Sequence, residues 1–261
     1  MNETIHVHSY QPGITTLTFN RPEKCNAFDD HFIAALIERL TQIANDSSTR
    51  VLILKAQGDH FSAGADLAWM QRMASYSQAE NQQDCMQLAT LMQKLDQFPK
   101  PTIALVQGKT YGGGVGLVAC CDFVFASEEA QFCFSEVRLG LIPAVISPYI
   151  IAAIGERAAR RYFLSAEIIS ASRACELGLV TEIVESVELL ARGQACAENL
   201  LHNSPAALTA CKSLLQTVSN QPITPSLIQD TANRIAQIRS SAEGQEGLQA
   251  FLTKRKPHWD Q

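Results

Sequence analysis

Short apolar segments alternate with longer amphipathic ones along the first half of the chain. Strands are predicted where apolar residues cluster or alternate with hydroxyl residues, at 14–19, 51–55, 103–106 and 123–126. Between them, one helix is predicted after Asp29 or Asp30, either of which can cap it, and another at 82–98, before Pro99. Strands that alternate with helices predict an α/β fold with a largely parallel sheet.

The second half of the chain has a mainly helical pattern. Helices are predicted at 156–164, 172–177, 187–200, 206–217, 225–240 and 243–252. A helical C-terminal third on an α/β core often serves packing or oligomerisation. We therefore divide the chain into an α/β core, residues 1–200, and a helical C-terminal region, residues 201–261, that is expected to mediate oligomerisation.

Charge and composition narrow the class of protein. The 261 residues are 46% hydrophobic, which is typical of globular proteins, and 21 basic against 26 acidic residues give a net charge of −5. With no basic block, nucleic acid is disfavoured as a primary ligand. No apolar stretch approaches the roughly 18 residues that a membrane span needs. The N-terminus has neither a basic start nor an apolar run, so we expect no signal peptide.

Eight cysteines and six histidines are present, but they do not form a metal-binding pattern. No Cys-x-x-Cys pair and no His-x-x-x-His spacing occurs. Most of the cysteines lie in apolar sequence, which favours free thiols in a reducing compartment over disulfides. We therefore expect a cytoplasmic protein without a bound metal.

Two turns rich in small residues follow predicted strands. Three consecutive glycines, Gly112 to Gly114, come after the strand at 103–106 and before an apolar segment, 117–121, with helical character. The second turn, 61–66, follows the strand at 51–55. Glycine at a strand-to-helix junction lets main-chain N–H groups approach a ligand closely. The two turns together can supply one N–H each to a single oxyanion, which indicates chemistry at a carbonyl group.

The glycine turn also has other interpretations. It can be a flexible loop or a close contact between helix and strand. It fits neither a phosphate-binding loop, because no Gly-Lys-Ser/Thr follows, nor the dinucleotide fingerprint, because Leu117 stands where the last glycine belongs.

Several motifs in order resemble the enoyl-CoA hydratase/isomerase (crotonase) family. They are Asn20-Arg-Pro22, Asn26-Ala27, Phe61-Ser-Ala-Gly-Ala-Asp66, Gly108 with Gly112-Gly-Gly114, Asp122, and the stretch from Ala130 to Pro143. The resemblance covers nearly the whole chain and implies a core of repeated crotonase-like ββα units. It also implies an acyl-CoA substrate, trimers or dimers of trimers, and no metal or redox cofactor, because coenzyme A arrives as part of the substrate.

The resemblance assigns roles to individual positions. Ala65 and Gly113 match the residues whose N–H groups form the oxyanion hole for the thioester oxygen, where losing one donor costs ~10²–10³ in rate. Glu136 matches a catalytic carboxylate of the hydratases. It lies between the apolar run 132–134 and Val137, an unfavourable place for a merely solvated charge.

The resemblance also implies contacts with the coenzyme. Lys24 and Ala27 lie in the loop that resembles the coenzyme A contact, and Ala63 and Asp66 in the second turn belong to the same group. Lys254 matches a basic position that approaches the phosphates of the coenzyme, often from a neighbouring subunit.

Gly116 departs from the pattern of the hydratases with two carboxylates, which carry a second Glu at this position. Glu136 can then perform both proton transfers, or a second polar group can hold the water. Some isomerases of the family also use only the carboxylate that matches Glu136, so a double-bond isomerase is an alternative. A catalytically silent acyl-CoA-binding protein is another.

The segment 135–164 resembles the bacterial branch of methylglutaconyl-CoA and carboxygeranoyl-CoA hydratases, which also carries Gly at the position of Gly116. This resemblance implies hydration of 3-methylglutaconyl-CoA in leucine degradation. Such a substrate has a distal carboxylate, and Lys109 and Arg138 are the candidate cations for it, although both residue types are also common on solvated surfaces.

Overall fold

Nine strands form two sheets in the computed structural model, which describes residues 4–260. The strands are β1 (Ile5–Gln11), β2 (Gly13–Phe19), β3 (Thr49–Ala56), β4 (Thr102–Val106), β5 (Lys109–Tyr111), β6 (Phe123–Ser127), β7 (Gln131–Cys133), β8 (Ile169–Ser170) and β9 (Glu182–Val184). The main sheet has the order β1-β2-β3-β4-β6-β9, and a smaller sheet has the order β5-β7-β8. Apart from the β1–β2 hairpin, all neighbours in the main sheet are parallel.

Ten α-helices within residues 4–260 connect and cover these strands. They are α1 (Asp30–Asn45), α2 (Leu67–Met73), α3 (Gln78–Asp96), α4 (Gly113–Ala119), α5 (Ser147–Ser165), α6 (Ala171–Glu176), α7 (Leu189–Leu201), α8 (Pro205–Val218), α9 (Pro225–Ser240) and α10 (Ala242–Leu252). Short 3-10 helices lie at Pro22–Lys24, Glu136–Leu139, Ser186–Glu188 and His258–Asp260. The predicted α/β fold with a largely parallel sheet is confirmed.

The chain passes from the main sheet to the smaller one at Gly108. A Cβ atom on this residue would lie 2.0 Å from the carbonyl oxygen of Asp59, and its φ of +57° is in the left-handed region. Glycine therefore allows the chain to turn between β4 and β5 while packing against the loop that follows β3. β4 and β6 lie in the main sheet, and β5 and β7, which follow them, pair in parallel in the smaller one.

The two faces of the main sheet are buried by different helices. Val51 and Ile53 of β3 belong to a cluster that includes Ala197 and Leu200 of α7. Leu52 and the other alternate residues face the larger cluster, which contains apolar side chains of α1, α3, α4 and α5. Burial on both faces explains why β3 reads as a continuous apolar run rather than an alternating one.

Several predicted helix boundaries differ from the observed ones, and two of the differences have clear structural reasons. The helix at the glycine turn begins at Gly113 and ends at Ala119. It therefore includes Gly113 and Gly114 of the turn instead of starting at 117. The helix predicted at 82–98 begins at Gln78 instead, because Ser77 and Glu80 form a reciprocal capping box.

The chain after residue 200 consists mainly of α8, α9 and α10, whose surfaces expose large apolar side chains, among them Leu215, Ile228 and Phe251. An ion pair of 2.5 Å between Lys212 of α8 and Asp122 ties this region to the core. The division at residue 200 and the oligomerising role stay predictions. From residue 4 to residue 260, the structure contains no helix with the length and apolar character of a membrane span.

Candidate active site

Ala65 lies in a short bridge with Phe28 that leaves its own N–H group unused. The N–H of Phe28 donates to the Gly64 carbonyl at 2.7 Å, and the N–H of Asp66 donates to the Phe28 carbonyl at 2.7 Å. In a parallel bridge of this kind, both bonds belong to the neighbours of Ala65, so its own N–H points to the opposite side. Ala65 is exposed. Its N–H group is therefore available to a ligand.

Gly113 supplies a second such donor, because the first N–H groups of a helix have no acceptor in a preceding turn. Gly112, which precedes it, has φ 50° and ψ −119°, and its N–H donates to the Cys133 carbonyl at 2.9 Å. A Cβ atom on Gly113 would lie 3.2 Å from Cε2 of Phe28. The phenyl ring of Phe28 thus contacts Gly113, while the backbone of Phe28 forms the bridge with Ala65.

The two turns are joined directly as well. Ser62 and Thr110 form a parallel bridge, and the N–H of Tyr111 donates to the Ser62 carbonyl at 2.9 Å. The Ser62 hydroxyl donates to the Asn26 carbonyl at 2.9 Å and accepts from the N–H of Gly64 at 3.2 Å. Two segments that are far apart in sequence therefore form one surface that carries the Ala65 and Gly113 donors.

Glu136 places a carboxylate beside this surface. It begins the 3-10 helix that follows β7, and its Oε1 lies 3.1 Å from the position that a Cβ atom on Gly112 would take. Its Oε2 is buried, and no donor within residues 4–260 bonds to it. Burial raises the pKa of the Glu136 carboxyl above its ordinary value. A carboxylate that lacks a partner for one oxygen and has a raised pKa is suited to accept and return a proton.

Gly116 carries no side chain, and apolar groups fill the space beside it. The side chains of Ile146 and Met92, which are 2% and 0% exposed, lie closest to the position of its missing Cβ atom. Apolar side chains therefore occupy the space beside Gly116, whereas the Glu136 carboxylate lies beside Gly112 at the glycine turn.

Three of the predicted coenzyme-binding residues, Lys24, Ala63 and Asp66, lie in two segments that contact each other. Oδ2 of Asp66 lies 2.7 Å from Nζ of Lys24, while the N–H of Ala63 donates to the Cys25 carbonyl at 2.9 Å. Oδ1 of Asp66 accepts from the N–H of Ala68 at 2.9 Å and caps α2. The hydrogen bond from Lys24 is the main reason why the pKa of the Asp66 carboxyl is lowered. The Asp66 carboxylate thus organises the loop, and a direct contact with a coenzyme stays a prediction.

The other predicted cations, Lys109, Arg138 and Lys254, have different surroundings. Lys109 lines a cavity of about 580 Å³ together with Lys55, His60 and Glu129, and this cavity includes none of Ala65, Gly113 and Glu136. Nη2 of Arg138 donates to the Ala166 carbonyl at 2.7 Å. Lys254 is exposed beyond the end of α10. Within residues 4–260, no group of three His, Cys, Asp or Glu side chains is arranged to hold a metal ion.

Sequence reasoning missed three residues that shape this site. Phe28 touches both turns, Ile146 fills the space at Gly116, and Arg21 is buried with two carboxylates as partners. The motif Asn20-Arg-Pro22 pointed to Arg21, but nothing in the sequence pairs it with Asp66.

The sequence matches a known family over almost its full length. A family model described as "Enoyl-CoA hydratase/isomerase" matches residues 9–261. The chain belongs to this family. The predictions of the family and of the crotonase fold are therefore confirmed.

Solved structures of family members superpose closely on the chain. A Legionella pneumophila protein, described as an enoyl-CoA hydratase/isomerase (crotonase), has a TM-score of 0.93 at 49% identity, covering 99% of this chain and 100% of that one. An enoyl-CoA hydratase from Shewanella pealeana has a TM-score of 0.96 at 45% identity, covering 98% and 96%.

Relatives in the family carry both kinds of activity in their names. The 2,3-dehydroadipyl-CoA hydratase of Escherichia coli is 32% identical over 95% of this chain and 96% of its own length. Other relatives are named as isomerases. Relatives of this chain therefore include proteins named as hydratases and proteins named as isomerases.

Proposed function

We propose that this protein hydrates a 2-enoyl-CoA thioester through the Ala65 and Gly113 donors and a single carboxylate, Glu136. The observation that carries the proposal is the buried, unpartnered Oε2 of Glu136 beside the glycine turn that carries the Gly113 donor. The names of relatives at about 30% identity, several of them hydratases, support the same reaction.

In this proposal the thioester oxygen accepts hydrogen bonds from the N–H groups of Ala65 and Gly113. Glu136 takes a proton from water while the water oxygen bonds to the β-carbon, and the electron pair of the double bond moves toward the thioester to form an enolate. The two donors stabilise its oxygen. The carboxylic acid of Glu136 then returns its proton to the α-carbon. One group performs both transfers, so no second carboxylate at position 116 is needed.

For the substrate we propose 3-methylglutaconyl-CoA, an intermediate of leucine degradation, with Arg138 as the cation for its distal carboxylate. Arg138 follows Glu136 by two residues in the same 3-10 helix. Burial raises the pKa of the Tyr111 hydroxyl, and the nearby charge of Arg138 opposes that shift. Nη2 of Arg138 and Sγ of Cys133 both donate to the Ala166 carbonyl, and Cys133 pairs with Tyr111, which precedes the glycine turn, whereas Lys109 lines a separate cavity. An Arg138→Met variant is expected to raise KM for 3-methylglutaconyl-CoA more than for crotonyl-CoA.

A double-bond isomerase is the second candidate, and the apolar surroundings of Gly116 favour it. An isomerase needs one group to move a proton between two carbons and no group to hold water, and Glu136 with apolar groups at position 116 meets that need. Relatives named as isomerases support this alternative.

Incubation of the purified protein with 3-methylglutaconyl-CoA in oxygen-18 water tests both candidates. Gain of one labelled oxygen at the β-carbon supports the hydratase. A shifted double bond, or hydrogen exchange in a parallel incubation in deuterium oxide, without oxygen uptake supports the isomerase. An unchanged substrate that still binds supports a catalytically silent acyl-CoA-binding protein. The Glu136→Gln variant is the control: it should bind the thioester but lose turnover by about 10²–10⁴-fold, and unchanged turnover would remove Glu136 from the mechanism.

We further propose that Lys24, Ala27, Ala63 and Asp66 line the coenzyme path, and that Lys254 reaches it from a neighbouring subunit of a trimer or a dimer of trimers. The exposed apolar side chains of α8 to α10, such as Leu215 and Phe251, support burial against another copy. The free state of all eight cysteines supports a reducing, cytoplasmic location. Light scattering that shows a stable monomer would contradict the proposed assembly.

A further inference from the structure

The buried guanidinium of Arg21 links the two segments that form the Phe28–Ala65 bridge. Arg21 is 6% exposed, and its Nη2 lies 2.8 Å from Oδ2 of Asp29 and 3.3 Å from Oδ2 of Asp66. Its Nη1 donates to the Ala27 carbonyl at 3.0 Å. A charged side chain is rarely buried to this degree without partners. Here the partners come from positions 27 and 29 on one segment and from position 66 on the other.

These partners surround the bridge between Phe28 and Ala65. Arg21 holds the residue before Phe28 through a carbonyl and the residue after it through a carboxylate. It also holds Asp66, the residue after Ala65. The guanidinium therefore fixes both strands of the bridge from one side.

The bridge in turn sets the direction of the Ala65 N–H. The Gly64 carbonyl and the Ala65 N–H belong to one planar peptide unit and point in opposite directions. Because the N–H of Phe28 holds the Gly64 carbonyl at 2.7 Å, it also fixes where the Ala65 N–H points. A shift of Phe28 would turn this peptide unit and move the donor.

We propose that Arg21 is a positioning residue for the Ala65 N–H donor. It acts by holding together the two segments that form the Phe28–Ala65 bridge. The inference rests on the function proposed above. Burial keeps Arg21 itself away from a bound thioester, so its effect passes through Phe28 and Asp66. The planar fork of a guanidinium can serve three acceptors at once, whereas a lysine at this position keeps the charge but loses the fork.

The test compares Arg21→Lys and Arg21→Met with Arg72→Met, which removes an exposed ion pair to Asp30 of 2.5 Å. Each protein is assayed with 3-methylglutaconyl-CoA and with the N-acetylcysteamine thioester of the same acyl group, which lacks the nucleotide. We expect kcat per folded protein to fall about 10- to 100-fold in Arg21→Met with both substrates, since small displacements at a reacting centre cost this much. The kcat of Arg21→Lys should lie between those of the wild type and Arg21→Met, and the kcat of Arg72→Met should match that of the wild type.

A merely structural role would lower the unfolding temperature and leave kcat per folded protein unchanged for both thioesters, and that result overturns the inference. Hydrogen–deuterium exchange of the folded proteins provides a readout that does not depend on turnover. We expect faster exchange at 62–66 in Arg21→Met than in Arg72→Met. If the wild type turns over no enoyl thioester, the proposed function fails, and hydrogen–deuterium exchange alone tests the role of Arg21. Exchange at 62–66 that is no faster in Arg21→Met than in Arg72→Met overturns that role.

Discussion

A Cβ atom on Gly116 would lie 2.3 Å from Cγ2 of Ile146 and 3.1 Å from Cε of Met92. Gly116 lies within α4 and Ile146 immediately precedes α5, so the two helices approach each other through the space that a side chain would take. Close packing, rather than backbone freedom, requires glycine at this position. The same contact fills with apolar atoms the space into which a side chain at position 116 would project.

We expect Gly116→Ala to destabilise the protein by about 1–3 kcal/mol, the usual cost of overpacking a core. Alanine in a helix interior is otherwise favoured over glycine by about 1 kcal/mol, so a loss of stability would show that the contact with Ile146 dominates. Combining Gly116→Ala with Ile146→Ala should cost clearly less than the sum of the two single changes, because the removed methyl group makes room for the added one. Urea unfolding of the four proteins measures this coupling, and additive free energies would contradict the packing argument.

The raised pKa of Glu136 predicts that its charge destabilises the folded state at neutral pH. Because the folded protein holds this proton more tightly than the unfolded chain, the group contributes stability below about pH 4.5, where the unfolded carboxyl titrates. That contribution is lost as the pH rises through the folded pKa. We expect Glu136→Gln to unfold at a higher temperature than the wild type at pH 7, with the difference disappearing in acid. Thermal unfolding across pH tests this, and a Gln variant that is less stable at pH 7 would contradict it.

The parts of the fold that the sequence predicted are those that depend on local pattern. The strand at 51–55 could be recognised because all four residues from Val51 to Leu54 are fully buried and apolar. The smaller sheet was missed because strands of two or three residues, with exposed Lys109 and Gln131 at the starts of two of them, have no periodicity. These short strands form only through contacts between segments that are distant in sequence.

The site shows the same division between local and distant information. The glycine turn and the second small-residue turn could be read as sources of backbone donors because each is contiguous in sequence. The contacts of Gly116 with Ile146 and of Arg21 with Asp66 could not be predicted from the sequence, because 30 residues (146 − 116) and 45 residues (66 − 21) separate the partners. No local pattern encodes which side chain fills the space left by a glycine.

Asp66 performs two tasks that a single substitution can separate. Asparagine caps helices about as well as aspartate, so Asp66→Asn should keep α2 capped while removing the charge that holds Lys24 and Arg21. Breaking a buried ion pair costs about 3–5 kcal/mol, and we expect the low end of that range because Asp29 still pairs with Arg21. Asp30→Asn, which affects an exposed pair, should cost less than about 1 kcal/mol and is the matched control.

The pH dependence of the Asp66→Asn effect follows from the lowered pKa of Asp66. The stability that the carboxylate contributes is present above about pH 3.8, the ordinary value, and is lost as the pH falls through the lower folded pKa. The difference between Asp66→Asn and wild type should therefore shrink in strong acid. Urea unfolding at neutral and acidic pH measures it, and a difference that persists unchanged in acid would assign the effect to packing instead.

The cysteines should differ sharply in their reactivity toward iodoacetamide. Burial, together with the neighbouring Asp122 charge, raises the pKa of the Cys121 thiol to about 12, so almost none of it is thiolate at about pH 8. Cys85 and Cys211 are exposed. We expect peptide mapping over time to show early modification of these two and none of Cys121 until the protein is unfolded. Unfolding in concentrated guanidinium chloride, where all eight should react, is the control, and modification of folded Cys121 as fast as Cys85 would show that the α4–β6 junction opens readily to solvent.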